Sequence, residues 1–232
     1  MDNLKKYLVE NGASAVKYAF LSGIPSNQRN YFDFGISIGV ALNPKVIKSI
    51  QDGPNVLYQK EYTRVNQLLN YLGKLAVDYI REKGYQAHSL TSTISTQNNN
   101  LVDLSTPLPH KTVATIAGMG WIGKSALLVT KEYGAAIRLT TVLTNMSFGD
   151  YQEPISISFC GECKKCVEAC PANAISGKNW HLGMDRDDFY SAVQCKNKIS
   201  RIIQNNSEIK DLICGKCIVV CPWTKKYLEK SK

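Results

Sequence analysis

Residues 160–171 read Cys160-Gly161-Glu162-Cys163-Lys164-Lys165-Cys166-Val167-Glu168-Ala169-Cys170-Pro171, and residues 214–223 read Cys214-Gly215-Lys216-Cys217-Ile218-Val219-Val220-Cys221-Pro222-Trp223. The first run is C-x2-C-x2-C-x3-C-P, the spacing in which three thiolates hold one [4Fe–4S] cube while the fourth, ahead of a proline, reaches a neighbouring cube. Cysteines three apart in a tight loop can point sulfurs at three corners of one cube, whereas the last one starts a helix and faces away. The second run repeats the last three positions. Its missing first member falls on Asp211, which cannot replace a soft thiolate, and the cysteine left over is Cys195. The eight cysteines then divide without remainder, with Cys160, Cys163, Cys166 and Cys221 on one cluster and Cys170, Cys195, Cys214 and Cys217 on the other. Zinc is the alternative metal, since C-x2-C pairs suit tetrahedral sites, but structural zinc does not call for a Cys-Pro crossing at the end of each run.

All eight cysteines lie within the last 73 of 232 residues, which marks a local site rather than a general disulfide framework. The first residues mix Asp2, Lys5, Lys6 and Glu10 into what an export signal would keep apolar, so the expected location is cytoplasmic. No stretch approaches the roughly 18 consecutive apolar residues of a membrane span. A net charge of +9 favours an acidic partner such as RNA, a phosphorylated substrate or an acidic redox protein. Two oxidised cubes, each about −2, would leave the chain basic.

Upstream, residues 1–150 read as one α+β domain and residues 151–232 as a second, cysteine-rich one. Residues 4–10 suggest a short helix, and residues 13–20 and 34–42 suggest strands, the second stopping at Asn43-Pro44. From Tyr58 to Lys83 apolar residues, among them Tyr62, Val65, Leu69, Leu72, Ala76 and Ile80, recur at three- and four-residue steps, so a long amphipathic helix is expected, closed by Gly84. Residues 92–109 read as a loop long enough to line a site, and residues 110–117 as a helical turn. Residues 125–130 and 135–144 read as two strands of a hairpin turning at Lys131-Glu132-Tyr133-Gly134.

Between helix and hairpin stands Gly118-Met119-Gly120-Trp121-Ile122-Gly123-Lys124-Ser125, which satisfies both G-x-G-x-x-G and G-x-x-x-x-G-K-S. Both patterns require strand, loop and helix at the head of a parallel α/β domain, and this context opposes a dinucleotide fold and an ATPase alike. A glycine turn joining a helix to a hairpin is the plainer reading. His88, His110 and His181 show no metal-ligand spacing, and every cysteine is committed, so no nucleophilic catalytic arrangement stands out.

The glycine loop, the β-rich stretch after it and the two cysteine runs ending in Cys-Pro-Trp resemble the epoxyqueuosine reductase family, relatives of the reductive dehalogenases. The resemblance is strongest from Pro107 to Trp223. It implies a nitroreductase-like N-terminal domain, a C-terminal two-cluster ferredoxin-like module, and a cobalamin held base-off that the two [4Fe–4S] clusters reduce. Gly118, Met119, Gly120, Trp121, Ile122, Gly123 and Lys124 would then edge the corrinoid pocket. The family's proton-donating aspartate aligns with Leu104, one residue from Asp103, so Asp103 is the expected donor and Tyr62, near the start of the long helix, the second candidate. Family members act on tRNA and continue past the second cysteine run into a helical-repeat domain; with the sequence ending soon after Trp223, specific tRNA binding is not expected and a small-molecule or modified substrate is. A low-potential donor of ferredoxin or flavodoxin type would supply the electrons. The competing reading is an electron-transfer or binding protein without its own catalysis, with an ATP-driven reductase third.

Overall fold

A computed structural model describes residues 3–93, 104–204 and 208–230 of the chain. Its described strands are β1 (Ala15–Phe20), β2 (Phe34–Ala41), β3 (Ala87–Leu90), β4 (Trp121–Ile122), β5 (Leu128–Val129) and β6 (Ile137–Thr144). Its α-helices are α1 (Asn3–Glu10), α2 (Pro44–Lys48), α3 (Val56–Glu82), α4 (His110–Ile116), α5 (Lys165–Glu168), α6 (Ala192–Gln204), α7 (Lys216–Val219) and α8 (Pro222–Lys230).

Four strands form an antiparallel sheet in the order β1-β2-β6-β3. Strand β2 is covered on both faces, and its sequence divides accordingly. Ile36, Ile38 and Val40 enter the main core with Val65, Leu69 and Leu72 of α3. On the opposite face Gly35, Ser37 and Gly39 keep the surface low; a Cβ at Gly39 would sit 2.6 Å from Ile137 Cδ1. That face receives α4, whose Val113 packs with Ala19, Leu21 and Leu143. Helix α3 starts where the Asn55 side chain accepts the Tyr58 N–H at 2.9 Å and ends before Gly84 at φ +83°. Its fully buried Val65, Leu69, Leu72 and Ile80 each stabilise the fold by roughly 1.5–3 kcal/mol relative to exposure.

The expected hairpin is corrected. Strand β5 pairs with β4, and β6 pairs instead with β2 and β3. The turn after Thr130 is real, closed by reciprocal Thr130 and Gly134 backbone hydrogen bonds, but the chain then diverges. Buried along most of its length, β6 requires a partner on each edge, which a two-residue strand cannot provide. Asn43-Pro44 likewise ends β2 and opens α2, because Asn43 Oδ1 accepts the Lys45 N–H at 2.9 Å and proline suits a first helical turn.

The cysteine-rich part is short helices and turns, yet it shares the main core. Ile209, Ile213, Ile218, Val219 and Leu228 pack in the same cluster as Ile47, Ile50 and Tyr58. Polar fasteners follow the same path. The Ala135 N–H donates to Thr224 Oγ1 at 3.0 Å, and Tyr227 Oη donates to the Leu42 carbonyl at 2.9 Å. No described helix is long and apolar enough to cross a membrane.

Candidate functional site

The cysteine runs place sulfurs where short helices begin and end. Cys166 lies in α5 and Cys217 in α7, Cys170 and Cys221 follow those helices, and Cys195 projects from α6. A cavity of about 120 Å³ is lined by Cys160, Cys163, Cys166, Cys217 and Cys221 together with Gly123, Lys124 and Trp223. Burial pushes the Cys166 thiol up to about 11, with further increments from Cys160, Cys221 and Cys163. Burial also raises Cys195, opposed by a hydrogen bond from Tyr190 and reinforced by Cys170 and Cys214. Cys217 is raised by burial, then by Cys214, Cys195, Cys166 and Cys170. The thiols therefore sort into two neighbourhoods that meet at Cys166 and Cys217. Thiols crowded together off the bulk solvent hold their protons in the absence of metal, and a bound cationic centre would deprotonate them.

Several observations fit iron–sulfur clusters there. A cube takes its thiolates on separate corners, and Cys160, Cys163, Cys166, Cys217 and Cys221 all border one cavity. Trp121 Nε1 is buried without a hydrogen-bond partner, and its ring sits edge-on to Phe159 and Trp223, each 5.1 Å away. Those two aromatics flank the outermost ligands of the expected first cluster. Asp211, at the position where a first cysteine is missing, is held by α3: its N–H donates to Gln59 Oε1 at 3.0 Å, and its carboxylate accepts from Gln59 Nε2.

The glycine loop runs from helix to strand. After α4, Gly118 takes φ +65° and the Met119 N–H returns to the Ala114 carbonyl at 2.9 Å, which leads directly into β4. A P-loop or dinucleotide fingerprint runs in the reverse order, strand to helix, so both nucleotide patterns are coincidental. The glycines serve the chain itself. A Cβ at Gly120 would collide with the Val129 carbonyl, and one at Gly123 would lie 2.8 Å from Val129 Cγ2 and 3.6 Å from Cys160 Sγ. Lys124, 3% exposed, donates from Nζ to the Gly161 carbonyl at 2.7 Å. It braces the first cysteine loop.

A second cavity, about 650 Å³, opens on the other side of the same turn. Gly123, Lys124 and Ser125 border the cysteine cavity, while Ala126, Leu127 and Leu128 border the larger one. The turn is closed by the Gly123 N–H to the Leu127 carbonyl at 2.8 Å, with Ala126 at φ +57°. On the larger-cavity side Lys111 Nζ donates to the Ala126 carbonyl at 2.8 Å. Residues 118–124 do not line this cavity; the β4–β5 packing takes up the space beside Gly120.

His110 lines the cavity with both ring nitrogens engaged. Nε2–H donates to the Thr91 carbonyl at 2.9 Å, so Nδ1 accepts from the Thr141 hydroxyl at 2.9 Å. Burial lowers its pKa and keeps the ring neutral. Arg138 lies 3.9 Å over the Tyr62 ring and donates to Asn66 and Thr93. Tyr62 thus reaches the cavity only through Arg138. Asp103 lies outside the described residues; its neighbour Leu104 lines the cavity at φ +54°, and the Leu104 carbonyl accepts from Arg186 at 3.0 Å. Lys111, Arg138 and Tyr190 were not singled out by sequence, for their partners come from distant segments and no local spacing marks them.

Comparison with known proteins agrees with this geometry. Residues 159–224 match the family of 4Fe-4S double cluster binding domains. The chain is 32% identical to the epoxyqueuosine reductase of Atelocyanobacterium thalassa over 126 residues, 54% of this chain and 40% of that protein. It is 34% identical to the tetrachloroethene reductive dehalogenase of Sulfurospirillum multivorans over 116 residues, 48% of this chain and 23% of the other. The chain therefore spans less than half the length of these relatives. Among solved structures, an epoxyqueuosine reductase with an epoxyqueuosine-modified tRNA stem loop superposes with TM-score 0.63 at 19% identity, covering 96% of this chain and 64% of that one. A catabolic reductive dehalogenase in complex with 3-bromo-4-hydroxybenzoic acid gives 0.68 at 17%, covering 95% and 31%. Residues 159–224 thus match a double 4Fe-4S cluster binding domain, and the chain that carries them is similar to the epoxyqueuosine reductases and the reductive dehalogenases.

Proposed function

We propose that this chain is a reductase in which residues 151–232 carry electrons through two [4Fe–4S] clusters to an acceptor held by residues 1–150, a unit of nitroreductase-like layout. The observation that carries the reading is the single turn at residues 123–127, which borders the cysteine cavity on one side and the 650 Å³ cavity on the other. In this scheme Cys160, Cys163, Cys166 and Cys221 hold the cluster beside the acceptor, and Cys170, Cys195, Cys214 and Cys217 the remote one. A base-off cobalamin in the larger cavity would supply a low-potential cobalt centre for reducing a small or modified substrate. The apolar wall of Leu90, Leu108, Leu128 and Leu139 suits a broad macrocycle, and His110, with both nitrogens committed, leaves cobalt without an imidazole ligand from that position. Asp103 is the proposed proton donor, with Tyr62, behind Arg138, the alternative.

Anaerobic reconstitution should load about eight irons per chain, and the loaded protein should convert added cobalamin to its base-off spectrum. Eight irons without a corrinoid spectral change would overturn the reductase reading in favour of an electron-transfer protein. Four irons, or zinc, would overturn the ligand assignment. Turnover of epoxyqueuosine-modified tRNA by the same preparation would replace the small-molecule substrate with RNA.

A further inference from the structure

We propose that electrons enter this protein through a basic groove over the second cluster's ligands, and that the groove docks a small acidic protein carrying a one-electron centre. The proposal rests on the two-cluster wire above and assigns its outer end. The groove, about 440 Å³, lies between the turn Pro171-Ala172-Asn173 and one face of α6. Pro171 directly follows Cys170 and Gln194 directly precedes Cys195, so two of the four thiols assigned to the remote cluster lie one residue behind the groove wall. The turn wraps its sulfur, since the Ala174 N–H donates to Cys170 Sγ at 3.4 Å.

Charge selects the partner. Lys198 and Arg201 are exposed in the groove beside the neutral amides of Asn173, Gln194 and Asn197, and α6 carries Lys196 as well and no carboxylate. Cations on one face beside a redox centre steer an acidic partner into register and speed its association, an effect that salt suppresses. Position supplies the direction of flow. The larger cavity borders the neighbourhood of Cys160 and Cys166 through the turn at residues 123–127, so the far end of the wire, at Cys170 and Cys195, is where a donor must come close. Each docking event moves one electron: the carrier is oxidised by one and the second cluster reduced by one, with no proton required.

The test uses the cluster-loaded full chain and a reduced plant-type [2Fe–2S] ferredoxin, an acidic one-electron carrier, mixed anaerobically in a stopped-flow instrument. The bimolecular rate of cluster reduction should fall as salt is raised. Lys198→Glu/Arg201→Glu should lower it by about tenfold or more at low salt, while reduction by dithionite stays unchanged; Lys198→Gln/Arg201→Gln should lie between. The same change of net charge on α1, Lys5→Glu/Lys6→Glu, should have a much smaller effect. Equal losses for the two charge reversals, or no loss for the groove variant, would overturn the docking face. Failure of dithionite to reduce two clusters in the wild type would overturn the wire itself, and the docking face with it.

Discussion

Lys124 occupies the place of a phosphate-binding lysine in a sequence pattern and does a different job, bracing the Gly161 carbonyl within the first C-x2-C loop. A buried ammonium whose hydrogen bond is charge-assisted contributes about 1.5–3 kcal/mol. Lys124→Met should therefore destabilise the protein by that amount in chemical denaturation and loosen iron from the first cluster while the second retains its paramagnetic signal. Loss of both signals together would mean that the brace serves the fold at large. Lys111 ties the other side of the same turn, and burial, aided by Arg186, pushes its pKa down to about 8. The unfolded chain, with an ordinary lysine near 10.4, then binds more protons than the folded one between those values. Stability from this residue is complete above about 10.4 and lost as pH falls through 8. The difference in unfolding free energy between wild type and Lys111→Met should change across that window and flatten below it; a constant difference would show that Lys111 titrates normally. The cysteine-rich segment was readable because the spacing of its two runs, within a few residues each, is that of a double-cluster domain, which residues 159–224 match. The two lysines were not, since each selects a carbonyl far away in sequence or across a turn.

At the level of elements, α3 is the organiser that its periodicity announced, but its reach was hidden. Gln59 at its start accepts the Lys210 and Asp211 N–H groups at 3.2 and 3.0 Å and so anchors the segment leading to Cys214. Gln59→Leu should cost about 1–3 kcal/mol through unsatisfied backbone groups and weaken the second cluster selectively, read as faster iron release to a chelator with the first cluster's signal intact. Equal release from both would place the effect in the shared core. Strands β1 and β2 were legible from their β-branched and small residues. The partner of β6 was not: a genuine turn signal at residues 131–134 suggested the preceding strand, whereas β6 is buried and needs a neighbour on both edges, which only the assembled sheet supplies.

Across the whole molecule, the main core draws on residues both before and after position 150. A chain ending at Gly149 would lack Ile209, Ile213, Ile218, Val219 and Leu228, which pack in that core. Such a truncation should show no cooperative thermal transition and little near-ultraviolet circular dichroism; a sharp transition would show that the N-terminal sheet folds alone. The turn at residues 123–127 gains a larger meaning from this interdependence. Lys124 ties it to the first cysteine loop and Lys111 ties it to the helix bordering the larger cavity, so under the proposed function metal loading of that loop should also steady the cavity wall. On that proposal, a chain made in a cell short of iron would keep the wall slack and hold its acceptor weakly until the first cysteine loop is loaded.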